Sequence, residues 1–233
     1  MTQLERAMPI GAMILAAGRG ERMRPLSDAR PKPLLNVGGK PLLTWQIEAL
    51  ARAGFRDIVV NVAHFAEQFL AALGDGAALG VRLLWSLEEE ALETAGGIAN
   101  ALSLLPQGPA LVVSGDVWTA FAYDSLRPRA QTMAVSASSP RAHLVMVPNP
   151  PYHPQGDFVL AGDRLRLDGG PRLTFANIGV YDTALFAGIP RGTKAKLLPL
   201  MRQWIGDGIV SGERYEGPWT NVGTPDDLAA LDA

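Results

Sequence analysis

An α/β fold with a doubly wound, mostly parallel sheet is what this sequence predicts, and three observations carry the prediction. Short apolar runs recur through the first half, at residues 10–15, 57–62, 81–85 and 110–114. Stretches with apolar residues at helical spacing alternate with them, as βαβ units require. Glycine and aspartate follow directly on several of the runs, where ligands of such sheets bind, at the carboxyl ends of the strands.

Taken in order, residues 10–15 read as a buried first strand. The helix after it is expected at 45–53, with Leu42, Leu43, Ile47 and Leu50 on its apolar face. Residues 57–62 (DIVVNV) form a second strand, and 65–73 a helix that Gly74-Asp-Gly closes. A third strand at 81–85, a helix at 95–105 ending before Pro106 and a fourth strand at 110–114 complete this half. The texture then changes. Prolines gather at 148, 150, 151 and 154, and the expected strands are shorter, at 143–147, 157–160, 164–167 and 174–181. They are read as a small antiparallel subregion laid over the sheet. A helix at 193–205 (Leu197, Leu200, Met201, Trp204), a strand near 219–222 and a terminal helix return the chain to the core. The expectation is one domain over 1–233, with a core of about 10–141, a subregion of about 142–192 and a return of about 193–233.

Composition excludes several function classes. With 48% hydrophobic and 19% charged residues, the chain matches a globular protein with a large core. The net charge of −2 supplies no global basic field, so neither nucleic acid nor an anionic membrane is expected as a partner. Cysteine is absent, which removes disulfides and thiolate chemistry and suits the cytoplasm. No apolar run approaches the ~18 residues of a membrane span. Residues 1–9 lack a hydrophobic segment and read as a short tail, not a signal peptide. His64, His143 and His153 are scattered without metal-ligand spacing, and Gly-x-Ser-x-Gly is absent.

Against that mildly acidic background, residues 15–33 (LAAGRGERMRPLSDARPKP) stand out. Arg19, Arg22, Arg24, Arg30 and Lys32 crowd around Gly18 and Gly20. Glycines let the backbone turn sharply and present its N–H groups as an anion-binding nest. Crowded cations repel one another unless a polyanion or carboxylates sit among them, and a triphosphate is the natural guest. A dinucleotide fingerprint needs a small residue where Met23 stands, and a P-loop fails because Pro41 follows Gly39-Lys40.

Three further motifs carry chemistry. Asp116, in Ser114-Gly-Asp116, follows a buried strand, where its charge needs donors or a cation. It suits Mg²⁺, which takes a few hard oxygens and completes its shell with phosphate, or alternatively a backbone-capping turn. ETAGG (93–97) opens a helix with small residues, fitting either close approach of a base or ribose or a tight helix–sheet contact. In WTNVGTPDD (219–227), Thr224, Pro225, Asp226 and Asp227 read as a helix start.

Gly-x-Gly-x-Arg-x-x-Pro-Leu followed by Pro-Lys-Pro resembles the nucleotide-binding signature of the sugar-1-phosphate nucleotidylyltransferases, the NDP-sugar pyrophosphorylases. The resemblance runs from about residue 10 to 231. It is nearest to the short bacterial N-acetylmuramate α-1-phosphate uridylyltransferases of cell-wall recycling, through LETAGGI (92–98), GDVWT (115–119), Asn149-Pro, GDF (156–158) and SGE (211–213). Mannose-1-phosphate guanylyltransferases share the first motifs, a silent regulatory homologue is a second alternative, and transfer to a lipid-linked or choline phosphate acceptor is a third.

The resemblance implies a Rossmann-like sheet of nucleotidyltransferase type with a sugar-binding subregion, taking UTP (or another NTP) and a sugar-1-phosphate, as a monomer or homodimer. It implies direct displacement at the α-phosphorus, with Arg22 on the leaving pyrophosphate, Lys32 on the α-phosphate and Mg²⁺ on Asp116 and Asn221. Asn221 departs from the family's Trp-x-Asp-Val-Gly-Thr, although the acetylglucosamine-1-phosphate uridylyltransferases also use Asn there. Nucleotide contacts are implied at Leu15, Ala16, Ala17, Gly18, Gly20, Asn61, Thr94, Gly96 and Gly97. Sugar contacts are implied at Asn149, Asp157, Asn177 and Lys196, each with a plain turn or solvated-lysine alternative. The family's Glu-Lys-Pro phosphate motif is missing.

Overall fold

A computed structural model describes residues 9–136 and 139–232. The expected leading tail falls, up to residue 8, outside them. The first half runs β1 (Gly11–Leu15), β2 (Asn36–Val37), β3 (Lys40–Pro41), α1 (Leu42–Arg52), β4 (Asp57–Val62), α2 (Ala66–Leu73), β5 (Arg82–Leu87), α3 (Glu93–Ala101), β6 (Pro109–Ser114), β7 (Val117–Thr119) and α4 (Arg127–Val135). The second half runs β8 (Ala142–Val147), β9 (Phe158–Ala161), β10 (Arg164–Arg166), β11 (Arg172–Asp182), α5 (Leu197–Gly206), β12 (Val210–Arg214), β13 (Trp219–Asn221) and α6 (Pro225–Asp232).

Nine strands form the main sheet in the order β5-β4-β1-β6-β11-β8-β12-β10-β9. Side chains alternate across it, as the pleat demands. Ala12 and Ile14 enter one core with Leu43, Ile47 and Leu50 of α1, Phe69 of α2 and Ala130 of α4. Met13 enters the opposite core with Ala95 and Ile98 of α3 and Met201 and Trp204 of α5. Helices thus cover both faces, and the doubly wound class holds.

The sheet is more mixed than expected. β5, β4, β1 and β6 are all parallel, and so are β8 and β12. β11 enters antiparallel between β6 and β8, and the β9–β10 hairpin closes the far edge. The antiparallel strands therefore extend the main sheet instead of lying over it. The β9 and β10 runs are short, at four and three residues, because their hairpin sits at an edge, which a periodicity reading takes for a separate unit.

Other boundaries move for physical reasons. The helix expected over 193–205 begins only at Leu197. Before it, the Ala195 amide donates to the Leu92 carbonyl and its carbonyl accepts from Gly96, both at 3.0 Å, which holds that segment extended. α1 starts three residues early, and α3 gives way after Ala101 to a 3₁₀ turn at Leu102–Leu104. α4 escaped the sequence reading because it buries only Ala130 and has no apolar stripe. β12 also escaped it, its Ser-Gly-Glu centre lacking an apolar run.

Candidate active site

Register brings the motifs to one rim. Leu15, the last residue of β1, pairs with Asn61 on one side and Ser114 on the other. Their carboxyl ends open into a cleft of about 1160 Å³. Fourteen of the predicted residues line it: Leu15, Ala16, Ala17, Gly18, Gly20, Arg22, Lys32, Asn61, Thr94, Asp116, Asp157, Asn177, Lys196 and Asn221. Gly96, Gly97 and Asn149 do not.

The loop after β1 is shaped by its glycine. Gly20 has φ +64°, and a Cβ there would meet the Lys32 Cβ at 2.9 Å, so neither the turn nor the packing admits a side chain. The Ser27 hydroxyl fastens the turn by donating to the Gly20 carbonyl at 2.8 Å. Lys32 opens a 3₁₀ turn and is 9% exposed. Its ammonium pairs with Asp116 Oδ2, while Asp116 Oδ1 accepts from the Ser114 hydroxyl at 2.6 Å. The carboxylate thus gives this mostly buried side chain an ionic partner.

Met23 packs with Val37, Leu42 and Val222 in a third small core, which pins the Gly-rich segment against the chain's return. Arg22 is held beside Gly223 in consequence: a Cβ on Gly223 would lie 3.1 Å from its guanidinium nitrogens. No residue forms an ion pair with Arg22 among those described, so its charge is free for an anion in the cleft. Asp227 does not enter the site chemistry. It accepts from the Gly223 and Thr224 amides at 2.9 and 2.8 Å, and its own amide donates to Thr224 Oγ1 at 3.2 Å, a reciprocal cap on α6.

β7 and β13 form a two-stranded ribbon in which Asn221 faces Val117, and the Val222 amide donates to the Asp116 carbonyl at 2.8 Å. Asp116, in the turn just before β7, and Asn221, at the end of β13, are therefore brought near each other, and both line the cleft. Asn221 Oδ1 is buried and has no hydrogen-bond partner among the described residues. Such an orphan oxygen is costly unless something else meets it. One carboxylate and one amide oxygen at the wall of the cleft fit Mg²⁺, which draws much of its shell from phosphate and water. Among the described residues no group of three or more His, Cys, Asp or Glu forms a metal cage.

A buried polar chain links three elements of the rim. The Ala16 amide donates to Asn61 Oδ1 at 3.0 Å, Asn61 Nδ2 donates to Glu88 Oε1 at 2.7 Å, and the Leu92 amide donates to Glu88 Oε2 at 3.0 Å. Burial pushes the Glu88 carboxyl above the usual range, opposed by those two donors. Gly97 belongs to this chain as a packing contact: a Cβ would lie 2.6 Å from Asn61 Nδ2. Gly96 is likewise structural, since a Cβ would lie 2.3 Å from the Thr193 carbonyl oxygen. Of the two readings of ETAGG, tight packing describes these glycines, while Thr94 and Glu93 face the cleft, Glu93 with φ +63°.

On the opposite wall, the β11–β8 register shifts between Phe175 and Gly179, and Asn177 adopts φ +57°. This bulge turns Asn177 toward the cleft. Trp219 Nε1 locks it by donating to the Ala176 carbonyl at 3.0 Å. Asp157 accepts from the Phe175 amide at 2.8 Å and lies 3.2 Å from His153 Nε2. Asn149 is spent on structure, donating to the Pro154 and Arg172 carbonyls and accepting from Thr174 Oγ1. The sequence reading missed Tyr152, His153, Tyr181 and Lys194, all of which line the cleft. Tyr152 was hidden in the proline cluster. It reaches toward the Gly-rich loop: burial raises its phenol, Asp227 and Asp116 add to the rise, and Arg22 opposes it. No described helix is long and apolar enough to cross a membrane.

The family described as Nucleotidyl transferase matches residues 11–150. An N-acetylmuramate alpha-1-phosphate uridylyltransferase of Neisseria meningitidis is 49% identical over 91% of this chain and 93% of its own. A protein of the same name from Caulobacter vibrioides is 36% identical over 95% of each chain. HddC from Yersinia pseudotuberculosis, crystallised with GMP-PN, superposes with a TM-score of 0.76 over 96% of this chain and 98% of its own, at 18% identity, a likeness of fold.

Proposed function

The chain belongs to the nucleotidyl transferase family, and we propose that it transfers a uridylyl group from UTP to N-acetylmuramate α-1-phosphate, releasing pyrophosphate. The observation that carries the reaction type is the gathering of Arg22, Lys32, Asp116 and Asn221 on one cleft at the carboxyl ends of β1 and β6. The acceptor and base are supported by the Neisseria relative's name and near-complete coverage.

The reaction asks an acceptor phosphate oxygen to approach an α-phosphorus of like charge, in line with departing pyrophosphate. Little covalent chemistry falls to the protein, so positioning and fixed charge dominate. Backbone N–H groups of the loop from Ala17 to Gly20 cradle the triphosphate, and the bond from the Ala16 amide to Asn61 fixes where that cradle begins. Lys32 faces the α-phosphate; its pairing with Asp116 aims the ammonium before substrate arrives. Arg22, held against Gly223, meets the charge that develops on pyrophosphate. Asp116 and Asn221 are the residues that would hold Mg²⁺, and a bound ion would supply positive charge against the phosphates that must meet. Asp157 and Asn177 orient sugar hydroxyls, and Lys196 takes the acceptor phosphate in place of the missing Glu-Lys-Pro motif.

The test is a panel of four nucleoside triphosphates against N-acetylmuramate 1-phosphate, N-acetylglucosamine 1-phosphate and mannose 1-phosphate, scored by pyrophosphate release. The highest kcat/KM is expected for UTP with N-acetylmuramate 1-phosphate. A preference for GTP with mannose 1-phosphate overturns the assignment of base and sugar, and no release with any pair overturns the enzyme.

A further inference from the structure

We propose that Lys194 forms, beside Lys196, a second anion subsite that reads a carboxylate on the acceptor sugar, an inference that rests on the uridylyltransferase reading above. Both lysines line the cleft, and neither is engaged in an ion pair among the described residues, although Glu90 and Glu93 line the same cleft. The residue between them is clamped. The Ala195 amide donates to the Leu92 carbonyl and its carbonyl accepts from the Gly96 amide, both at 3.0 Å. Gly96 allows that approach because it has no Cβ. Lys196 is itself extended, with φ −80° and ψ 141°. Side chains two apart on an extended backbone share a face, with Cα atoms about 7 Å apart. With Ala195 fixed between them and both side chains lining the cleft, the two lysines are the tines of a fork.

The tines differ in surroundings. Lys196 is the N-cap residue of α5, where the Leu197 and Leu198 amides receive no side-chain cap and position 199 is proline. A phosphate there gains those amides and the helix dipole in addition to the ammonium. Lys194 has no such helix end and suits a smaller, singly charged group. N-Acetylmuramate 1-phosphate presents that pattern: a phosphate at C1 and, on the same ring, a carboxylate on the ether at C3. N-Acetylglucosamine 1-phosphate has only the phosphate, so a lone phosphate site would not separate the two sugars.

The experiment compares wild type, Lys194→Met and Lys194→Arg with these two acceptors at saturating UTP. Methionine keeps the stem and removes the charge. A charge-assisted contact is worth about 10- to 100-fold, so the ratio of kcat/KM for the carboxylate-bearing over the plain acceptor is expected to fall by that factor in Lys194→Met. The fall resides in KM, and Lys194→Arg restores most of it. An unchanged ratio, or an equal loss with both acceptors, overturns the subsite. Calorimetric titration of the same sugar phosphates separates this from failure of the function. Should wild type release no pyrophosphate, the uridylyltransferase reading falls; a binding preference for the carboxylate-bearing sugar that Lys194→Met abolishes then upholds the subsite, and equal affinities overturn it.

Discussion

Lys32 and Asp116 stand 84 residues apart in sequence and meet as an ion pair in the cleft, with the Ser114 hydroxyl on the free carboxylate oxygen at 2.6 Å. The pair joins the loop after β1 to the end of β6 and sets the ammonium before a phosphate arrives. Lys32→Ala is expected to lower turnover at least ~100-fold, the scale for one preorganised charge contact. Single-turnover pyrophosphate release measures this. Near-normal release would remove Lys32 from the reaction.

Asn221 Oδ1 is buried without a described partner beside Asp116. If it ligates metal, Asn221→Ala weakens Mn²⁺ binding about tenfold, while Asn221→Asp tightens it by adding charge. Electron paramagnetic titration of free Mn²⁺ reads both without turnover. Identical affinities in all three proteins would leave the oxygen without a ligand's role.

Glu88 is 6% exposed and its carboxyl is raised by burial. The folded protein therefore holds a proton at pH values where the unfolded chain has lost it. Stability from that proton is complete below the unfolded pKa and is lost as pH rises through the raised folded value. Glu88→Gln carries no such charge. In urea titrations its stability relative to wild type is expected to improve as pH rises through this window, by at most about 1.4 kcal/mol per unit. A difference independent of pH would show that Glu88 titrates alike in both states.

Two glycines predict opposite signs. Gly96→Ala places a Cβ 2.3 Å from the Thr193 carbonyl oxygen and is expected to cost about 1–3 kcal/mol, outweighing the helix preference for alanine. Gly206, in α5, has open space around it, and Gly206→Ala is expected to be neutral or to gain up to ~1 kcal/mol. Thermal melts of both variants check the pair.

The parallel half of the fold was legible because its strands are continuous apolar runs, as in 57–62 and 110–114. The Gly-rich loop and Asp116 were legible because they follow such strands, and Asn221 because WTNVGT resembles a family motif. What sequence could not show were long-range backbone bonds. Nothing in TKAKLL announces that Ala195 binds Leu92 and Gly96, so the segment read as helix and Lys194 was overlooked. Asn149 looked like a ligand residue because its three structural bonds lie at Pro154, Arg172 and Thr174, and only the fold brings them near. Tyr152 needed the fold too, since only the fold brings it to the same cleft as Arg22.

β11 is a single eleven-residue strand that bonds to β9 near its start and to β6 and β8 farther on. It works as a ruler: the wall carrying Asn177 and the wall carrying Ser114 keep their spacing through one unbroken backbone. On the function proposed, the two reactants are then aligned by stiffness, with no swinging of halves, and small-angle scattering should return the same radius of gyration with and without substrates.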